Sequence, residues 1–400
     1  MKFGIIKERK NPPDRRVVFS PDELVRLKQL YPDVTVKVES SDVRFYSDDA
    51  YRNLGIEVAD DISDCTIFFG VKEVTIDYLI DKKSYFFFSH TIKKQPHNRQ
   101  LLRALLEKNI NFYDHETLVD TQNHRLIGFG KYAGIVGTYN AIRAFGIKFE
   151  LFKLPKAATL SGKEALLAHL KRLVLPPLKF VVTGTGKVGS GVKEVLDAIK
   201  ITEVSIDNYL TKNYTQPVYT QVDVLEYNKR KDGSVLDPND FFHNPQEYVS
   251  DFERFTKVSD IYITAHFHAN EAPKILTLAM LQANDCKIKV VADISCDVDG
   301  SVACTLRSST IDEPFYGYLP SENKEVEVFH PAAIVVMAVD NLPCELPKDA
   351  SEGFGAMFMQ HVIPAFFNGD KDGVLQRAKM TEKGKLTQRF SYLQEYVDGK

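Results

Sequence analysis

Apolar and polar positions along this chain fall into two series of short runs separated by helical periods. The first series contains "KFGIIKE", "VTVKVES", "CTIFFGVK", "SYFFFSHT" and "INFYDHE", β-branched or aromatic runs of strand length. "SPDELVRLKQLY" carries Ser20 and Glu23 at capping-box spacing, with Pro21 at the first helical position. That combination marks a helix start. "NRQLLRALLEK" supplies an amphipathic helix between the last two strands. Strands alternating with helices of this length predict a parallel sheet with helices on both faces.

A small-residue-rich helix, "GFGKYAGIVGTYNAIRAFGIKFE", then reads as an interdomain element able to pack closely against another backbone. The second series runs from the helix "SGKEALLAHLKRL" through the strand "LKFVVTGTG" and the helix "VGSGVKEVLDAI" to the strands "DIYITAHF" and "KIKVVADIS". The polar, turn-rich stretch "TKNYTQPVYTQVDVLEYNKRKDGSVLDPNDFFHNPQEY" reads as a partly ordered surface insertion, being too long for a simple connection. The expected fold class is α/β: two Rossmann-like domains with parallel sheets and an interdomain cleft.

Composition narrows the function classes. A chain of 400 residues suggests two or three domains. A formal net charge of -3 with 26% charged residues argues against an electrostatic nucleic-acid or membrane binder. The apolar run in "MKFGIIKERK" is too short for a signal peptide, and no stretch approaches the length of a membrane span. The five cysteines are scattered and lack metal-type pairs. They read as reduced thiols in a cytoplasmic protein, with no metal expected.

Candidate chemistry lies at strand ends. "VVTGTGKVGSG" sets Gly184, Gly186 and Gly189 in a G-x-G-x-x-G pattern between strand and helix. In a dinucleotide site these glycines allow a tight turn, close approach of a pyrophosphate and close helix packing. The phosphates then lie at the helix N-terminus, at Lys187 and Val188. Asp207 falls near the spacing of a ribose-binding carboxylate, with Glu203 close by, so NAD and NADP both remain open. His266 and His268 alternate along a strand end, where local contacts to cofactor or substrate fit better than a metal. In the first series, Lys72 and Glu73 end one apolar run, and His90 and Lys93 end the next. On this pattern alone, solvated strand ends and a shared ligand rim both fit.

Several motifs together resemble the L-lysine-forming saccharopine dehydrogenase (lysine–2-oxoglutarate reductase) family, which is related to alanine dehydrogenase and transhydrogenase. They are "GVKEV", "YFFFSHTIKKQ", "RLIGFGKYAGIVG", "FVVTGTGKVGSG", "DPNDFFHNPQEYVSDF", "VADISCDVDGSV", "STIDEPFYGY" and "VDNLPCELPKDASEGFG". The resemblance implies a substrate-side domain of residues 1–135 plus 345–400, completed by the C-terminal helix, and a dinucleotide-binding domain of residues 136–344. It also implies NAD(P)-dependent interconversion of saccharopine with lysine and 2-oxoglutarate, with Lys72 and His90 as the acid–base pair. Glu73 and Glu116 would tune that pair by charge, and Glu116 would lie among the substrate contacts. Arg16 (rather than Arg15), Arg125 and Lys93 would meet substrate carboxylates, and Asp340 would lie beside the nicotinamide. An alanine-dehydrogenase-like oxidoreductase and a non-catalytic nucleotide-binding regulator are the competing readings. Oligomeric state, monomer or homo-oligomer, is open.

Overall fold

The computed structural model describes residues 1–235, 237–269 and 271–400. They form two compact units, residues 1–129 with 347–400 and residues 130–346.

The first unit is built on an eight-stranded sheet. Its strands are β1 (Lys2–Ile5), β2 (Thr35–Glu39), β3 (Glu57–Ala59), β4 (Ile67–Phe69), β5 (Ser84–Phe87), β6 (Asn111–Asp114), β17 (Lys379–Glu382) and β18 (Lys385–Leu386). Their spatial order is β18-β17-β6-β5-β4-β1-β2-β3. β1 to β6 pair in parallel, and the β17–β18 hairpin closes one edge antiparallel to β6. Aromatic side chains of adjacent residues go to opposite faces. Phe69 and Phe86 join Leu24, Leu27, Phe354 and Phe358 on one face. Phe68, Tyr85 and Phe87 join Leu101, Leu102, Leu105 and Leu393 on the other. Burial on both faces explains why these strands read as continuous apolar runs rather than as alternation. The capping box forms as expected, with Ser20 and Glu23 bonding each other's backbone N–H at the start of the helix Pro21–Leu30. From β1 the chain proceeds towards β2, and from β4 towards β5, so the β1/β4 pair is a topological switch point.

The second unit repeats the plan. Its strands are β7 (Lys179–Thr183), β8 (Thr202–Glu203), β9 (Val218–Val222), β12 (Ile261–Thr264), β13 (Val290–Asp293), β14 (Phe315–Leu319), β15 (Lys324–Val326) and β16 (Ile334–Met337). A separate antiparallel pair, β10 (Asn228–Arg230) and β11 (Tyr248–Ser250), lies between β9 and β12 in sequence. The order of the main sheet is β15-β14-β16-β13-β12-β7-β9-β8, with its switch point between β7 and β12.

One expectation is corrected here. The stretch read as a surface insertion contains β9, a core strand paired along its length with β7. Val218, Tyr219, Thr220 and Val222 are buried, and the intervening Thr and Gln hide the strand pattern from a hydrophobicity count. Val188, expected at a cofactor, lies in the first turn of the helix Lys187–Ala198 and packs its partly buried side chain against the core. The helices Gly130–Lys148 and Lys187–Ala198 touch backbone to backbone. A Cβ added at Gly134 would lie 2.0 Å from the Val188 carbonyl oxygen, and one at Gly191 would lie 2.0 Å from that of Lys131. Gly134→Ala should therefore force these helices apart and destabilise the second unit by roughly 1–3 kcal/mol, the usual cost of overpacking. Urea denaturation followed by circular dichroism checks this, and an unchanged midpoint would contradict the contact.

Candidate active site

In the first unit, side chains carried just past β1, β4, β5 and β6 gather at the carboxyl ends of neighbouring strands. The backbone ladder between β4 and β5 continues past both strands, with the Phe88 N–H donating to the Val71 carbonyl at 3.0 Å. Lys72 and His90 thus follow one shared rung, as a common rim requires. His90 adopts a left-handed backbone with φ of 56°, and its Nδ1 lies 3.3 Å from Glu116 Oε2. Arg125 Nη2 donates to the other Glu116 oxygen at 3.0 Å. Burial alone would raise the Glu116 pKa, but the hydrogen bond from His90 and the charge of Arg125 prevail and hold it at about 2. Both oxygens are therefore engaged by cationic or imidazole groups. Glu116, expected among the substrate contacts, bridges His90 and Arg125. Lys93 is exposed on the short turn after His90, close enough for its charge to act on Glu116.

Arg16 is 4% exposed. Its Nε and Nη2 donate to the two Asp14 oxygens at 3.0 and 2.6 Å, and its guanidinium stacks 4.2 Å above the Phe129 ring. Burial opposes ionisation of Asp14, yet the charge and hydrogen bonds of Arg16 keep its pKa below the ordinary value. Glu73 likewise resists burial by pairing with Lys10 at 2.5 Å, and its pKa is lowered.

Sequence reasoning missed Glu8. It follows β1 at the switch point, and its oxygens accept the Val71 and Lys72 N–H groups at 2.7 and 2.9 Å. Burial, reinforced by the negative charge of Asp14, pushes its pKa up to about 8. Asp14 was also missed. Both lie in the loop "ERKNPPDRR", where nothing periodic marks them; only the adjacency of β1 and β4 brings them to Lys72.

In the second unit the three glycines of the motif differ in just the way a phosphate cradle requires. Gly184 has φ of +98°, and a Cβ there would lie 2.4 Å from the Ala265 carbonyl oxygen, so the turn hugs the end of β12. A Cβ on Gly186 would meet nothing within 4 Å, leaving open space at the head of the helix Lys187–Ala198. At Gly189 it would lie 2.2 Å from the Gly184 carbonyl oxygen, which is the close packing of helix on strand. These residues fit a dinucleotide: Gly186 and the N–H groups of the first helical turn, with Lys187, are positioned to receive phosphates.

The expected acidic partner, Asp207, does not lie at the strand end beside the glycine turn. Asp207 sits exposed in a short helix after edge strand β8, whose paired residues reach only the level of Tyr219 on β9. The strand beside β7 is β9, and the Gly184 N–H donates to the Val222 carbonyl at 2.8 Å. The carboxylate at that strand end is Asp223, which is exposed. Glu203 is taken by Lys193 at 2.5 Å. His266, expected at the cofactor, has Nδ1 2.7 Å from Thr183 Oγ1 and Nε2 2.9 Å from Ser301 Oγ. Burial drives its pKa to about 3. The neutral ring thus links Thr183, at the end of β7, to Ser301. Asp340 is exposed just beyond β16, on the same sheet edge as Gly184 but three strands away, about 14 Å at ordinary strand spacing.

Cys65 and Cys304 are buried thiols. Among the described residues no cluster of His, Cys, Asp and Glu could hold a metal ion, and no helix is long and apolar enough to cross a membrane.

Two family models cover most of the sequence: the alanine dehydrogenase/PNT N-terminal domain over residues 4–136 and its C-terminal domain over residues 174–389. The chain belongs to the alanine dehydrogenase/PNT family. Among curated relatives, the alpha-aminoadipic semialdehyde synthase of Arabidopsis thaliana is 29% identical over 98% of this chain and 41% of its own length. The chain spans less than half of that protein, and 47% of the mitochondrial rat counterpart, to which it is 26% identical. The saccharopine dehydrogenase [NAD(+), L-lysine-forming] of Schizosaccharomyces pombe is 25% identical over 86% of this chain and 88% of its own. Among solved structures, an L-alanine dehydrogenase matches 100% of this chain and 99% of its own with a TM-score of 0.65 at 17% identity. A transhydrogenase from Sinorhizobium meliloti matches 97% and 99% with a TM-score of 0.60 at 15% identity. These two similarities establish the fold.

The raised carboxyl pKa values in the first unit give a pH dependence of stability. Glu8 lies at about 8 against an ordinary 4.5. A raised folded-state pKa means the stabilising contribution is complete below the unfolded value and is lost as pH climbs through the folded one. Glu23 at about 7 and Asp114 at about 6, each raised mainly by burial, act in the same sense. Above the ordinary histidine value, where buried neutral His115 and His266 no longer oppose it, the urea midpoint should therefore fall between roughly pH 6.5 and pH 9, and Glu8→Gln should flatten that decline. A midpoint that rises over this range would contradict the assignment.

Proposed function

We propose that this chain catalyses the NAD(P)-dependent interconversion of saccharopine with L-lysine and 2-oxoglutarate. In the cleaving direction saccharopine, oxidised cofactor and water give lysine, 2-oxoglutarate, reduced cofactor and a proton. The observation that carries the reading is the first-unit rim: Lys72 and His90 follow one rung of paired strands, with Arg16, Arg125 and Lys93 beside them. The curated name of the fission-yeast relative, matched over most of both chains, supports the same substrate.

The residues present suit the chemistry required. The secondary amine of saccharopine must lose a proton, and water must then be activated to attack the resulting imine. Lys72 and His90 supply two groups able to hold and release a proton. The substrate is a tricarboxylate, and arginine matches carboxylate geometry in a two-pronged fashion that lysine cannot. Asp14 fixes the plane of Arg16, and Glu116 holds Arg125 and His90 at set positions. A nicotinamide held by the second unit would accept and return the hydride. There Gly186 and Lys187 would receive the phosphates, Asp223 the adenosine ribose, and Asp340 would lie towards the nicotinamide end.

The test is reduced-cofactor consumption with lysine and 2-oxoglutarate, run in parallel with pyruvate and ammonia. Lys72→Met or His90→Gln should lower the rate by roughly 10²–10⁴-fold. Arg125→Ala should weaken 2-oxoglutarate binding by about 10- to 100-fold, the loss of a charge-assisted hydrogen bond, with cofactor affinity little changed. Turnover of pyruvate with ammonia alone would favour an alanine-dehydrogenase-like enzyme, and retained rates in both acid–base variants would remove the catalytic reading.

Asp223→Ala should weaken NADH binding about tenfold, as loss of a hydrogen bond from ribose to a charged group predicts, whereas Asp207→Ala should leave it unchanged. Fluorescence titration distinguishes the two, and the reverse outcome would return the ribose contact to Asp207.

A further inference from the structure

We propose that Glu8 and His115 are positioning residues that clamp the main chain leading into Lys72 and so fix the site of its ammonium. The proposal rests on the reading of Lys72 as a proton-transfer group.

Past β4 the sheet's own ladder continues on one side only. Towards β5, the Gly70 N–H donates to the Phe86 carbonyl at 2.9 Å and the Val71 carbonyl accepts from Phe88. Towards β1, the Ile6 N–H still donates to the Phe69 carbonyl at 3.1 Å, after which the chain leaves the sheet. At Val71 and Lys72 the backbone bends, and their successive N–H groups converge on the Glu8 carboxyl. One side chain thus replaces the backbone acceptors that β1 no longer provides. Unmet N–H groups at such a bend would be costly.

The carbonyl of the same segment is held from the opposite direction. His115 follows β6, two strands away, and its Nε2 lies 2.8 Å from the Gly70 carbonyl oxygen. The ring is fully buried among Phe88, Phe354 and Phe358. Burial lowers its pKa to about 3, so the ring is neutral and its Nε2–H donates to Gly70. Its Nδ1 is buried without a hydrogen-bond partner. An imidazole with one unmet nitrogen is a costlier occupant of an aromatic nest than a phenyl ring, and the bond it does make goes to Gly70. Three consecutive residues, Gly70, Val71 and Lys72, are therefore fixed by two side chains from non-neighbouring parts of the sequence.

Fixing the backbone matters because lysine carries its charge on a flexible four-carbon stem. The charge environment suits the role. Asp14, Arg16 and Lys10 lie in Glu8's own loop, and Lys72 and Glu73, the partner of Lys10, follow β4. Asp14 and Glu73 are ionised. Glu8 is neutral at pH 7, since burial puts its pKa at about 8, so it orients Lys72 without adding a third negative charge. As pH rises past that value Glu8 ionises and places a charge on the segment that leads into Lys72.

The experiment measures kcat, KM and the pH–rate profile of the full chain with lysine, 2-oxoglutarate and reduced cofactor. Glu8→Gln and His115→Phe should each lower kcat by roughly 10- to 100-fold, the effect of a small misplacement of a reacting group, with cofactor KM unaltered. Glu8→Gln should also displace the alkaline limb of the profile, which His115→Phe should leave in place. His115→Gln, which restores a donor, should recover part of the rate. Folded Glu8→Gln and His115→Phe proteins with unaltered kcat and profile would overturn the clamp. Should a variant fail to fold, amide hydrogen exchange of the unaltered protein decides: Val71 and Lys72 N–H groups must be protected, and exchange at the rate of exposed loop amides overturns the proposal. Lys72→Met separates the two readings. Its full activity would refute the acid–base role itself, while its inactivity alongside unaffected Glu8 and His115 variants would refute the clamp alone.

Discussion

A parallel sheet with apolar layers on both faces leaves one place for polar chemistry, the rim where its strands end. Each unit of this protein obeys that constraint. Phe68, Phe69, Tyr85, Phe86 and Phe87 commit β4 and β5 to opposite cores, so the first polar side chains appear past the last rung. At the switch points, neighbouring strands send their chains in opposite directions and a crevice opens. Glu8 and Lys72 border one such point, after β1 and β4. Gly184 and His266 border the other, after β7 and β12.

Crowding charge at a rim has an electrostatic consequence. Removing carboxylates from water is unfavourable unless cations and donors compensate. Around Lys72 and His90 nearly every acid has such a partner: Asp14 has Arg16, Glu73 has Lys10, and Glu116 has both His90 and Arg125. Glu8 differs, meeting backbone N–H groups along with the opposing charges of Asp14 and Arg16, and it keeps its proton to near pH 8, as buried Asp114 keeps its own to about pH 6. The same rim therefore holds acids on either side of neutrality, the condition under which proton transfer can be divided between groups.

The features legible in the sequence are those encoded locally. Apolar runs gave the strands, Ser20 and Glu23 gave a helix start, and the spacing of Gly184, Gly186 and Gly189 gave a turn whose three positions play three separate steric roles. Features that depend on long-range pairing were hidden. β9 is disguised by its Thr and Gln, and with it the placement of Asp223 rather than Asp207 beside the glycine turn. Glu8 and Asp14 sit in a loop without period, and His115 is an apparently polar residue that folding buries completely. The β17–β18 hairpin near the C-terminus was likewise missed, because four and two residues carry too little pattern to register as strands.

The central claim is that the rim around Lys72 and His90 joins and separates lysine and 2-oxoglutarate. The most direct measurement incubates the protein with both compounds and reduced cofactor carrying deuterium at nicotinamide C4, then examines the products by mass spectrometry. The account predicts a lysine–glutarate adduct, saccharopine, that gains one deuterium when the transferred position is labelled. Absence of that adduct, with deuterium appearing instead in alanine when pyruvate and ammonia are supplied, would contradict it.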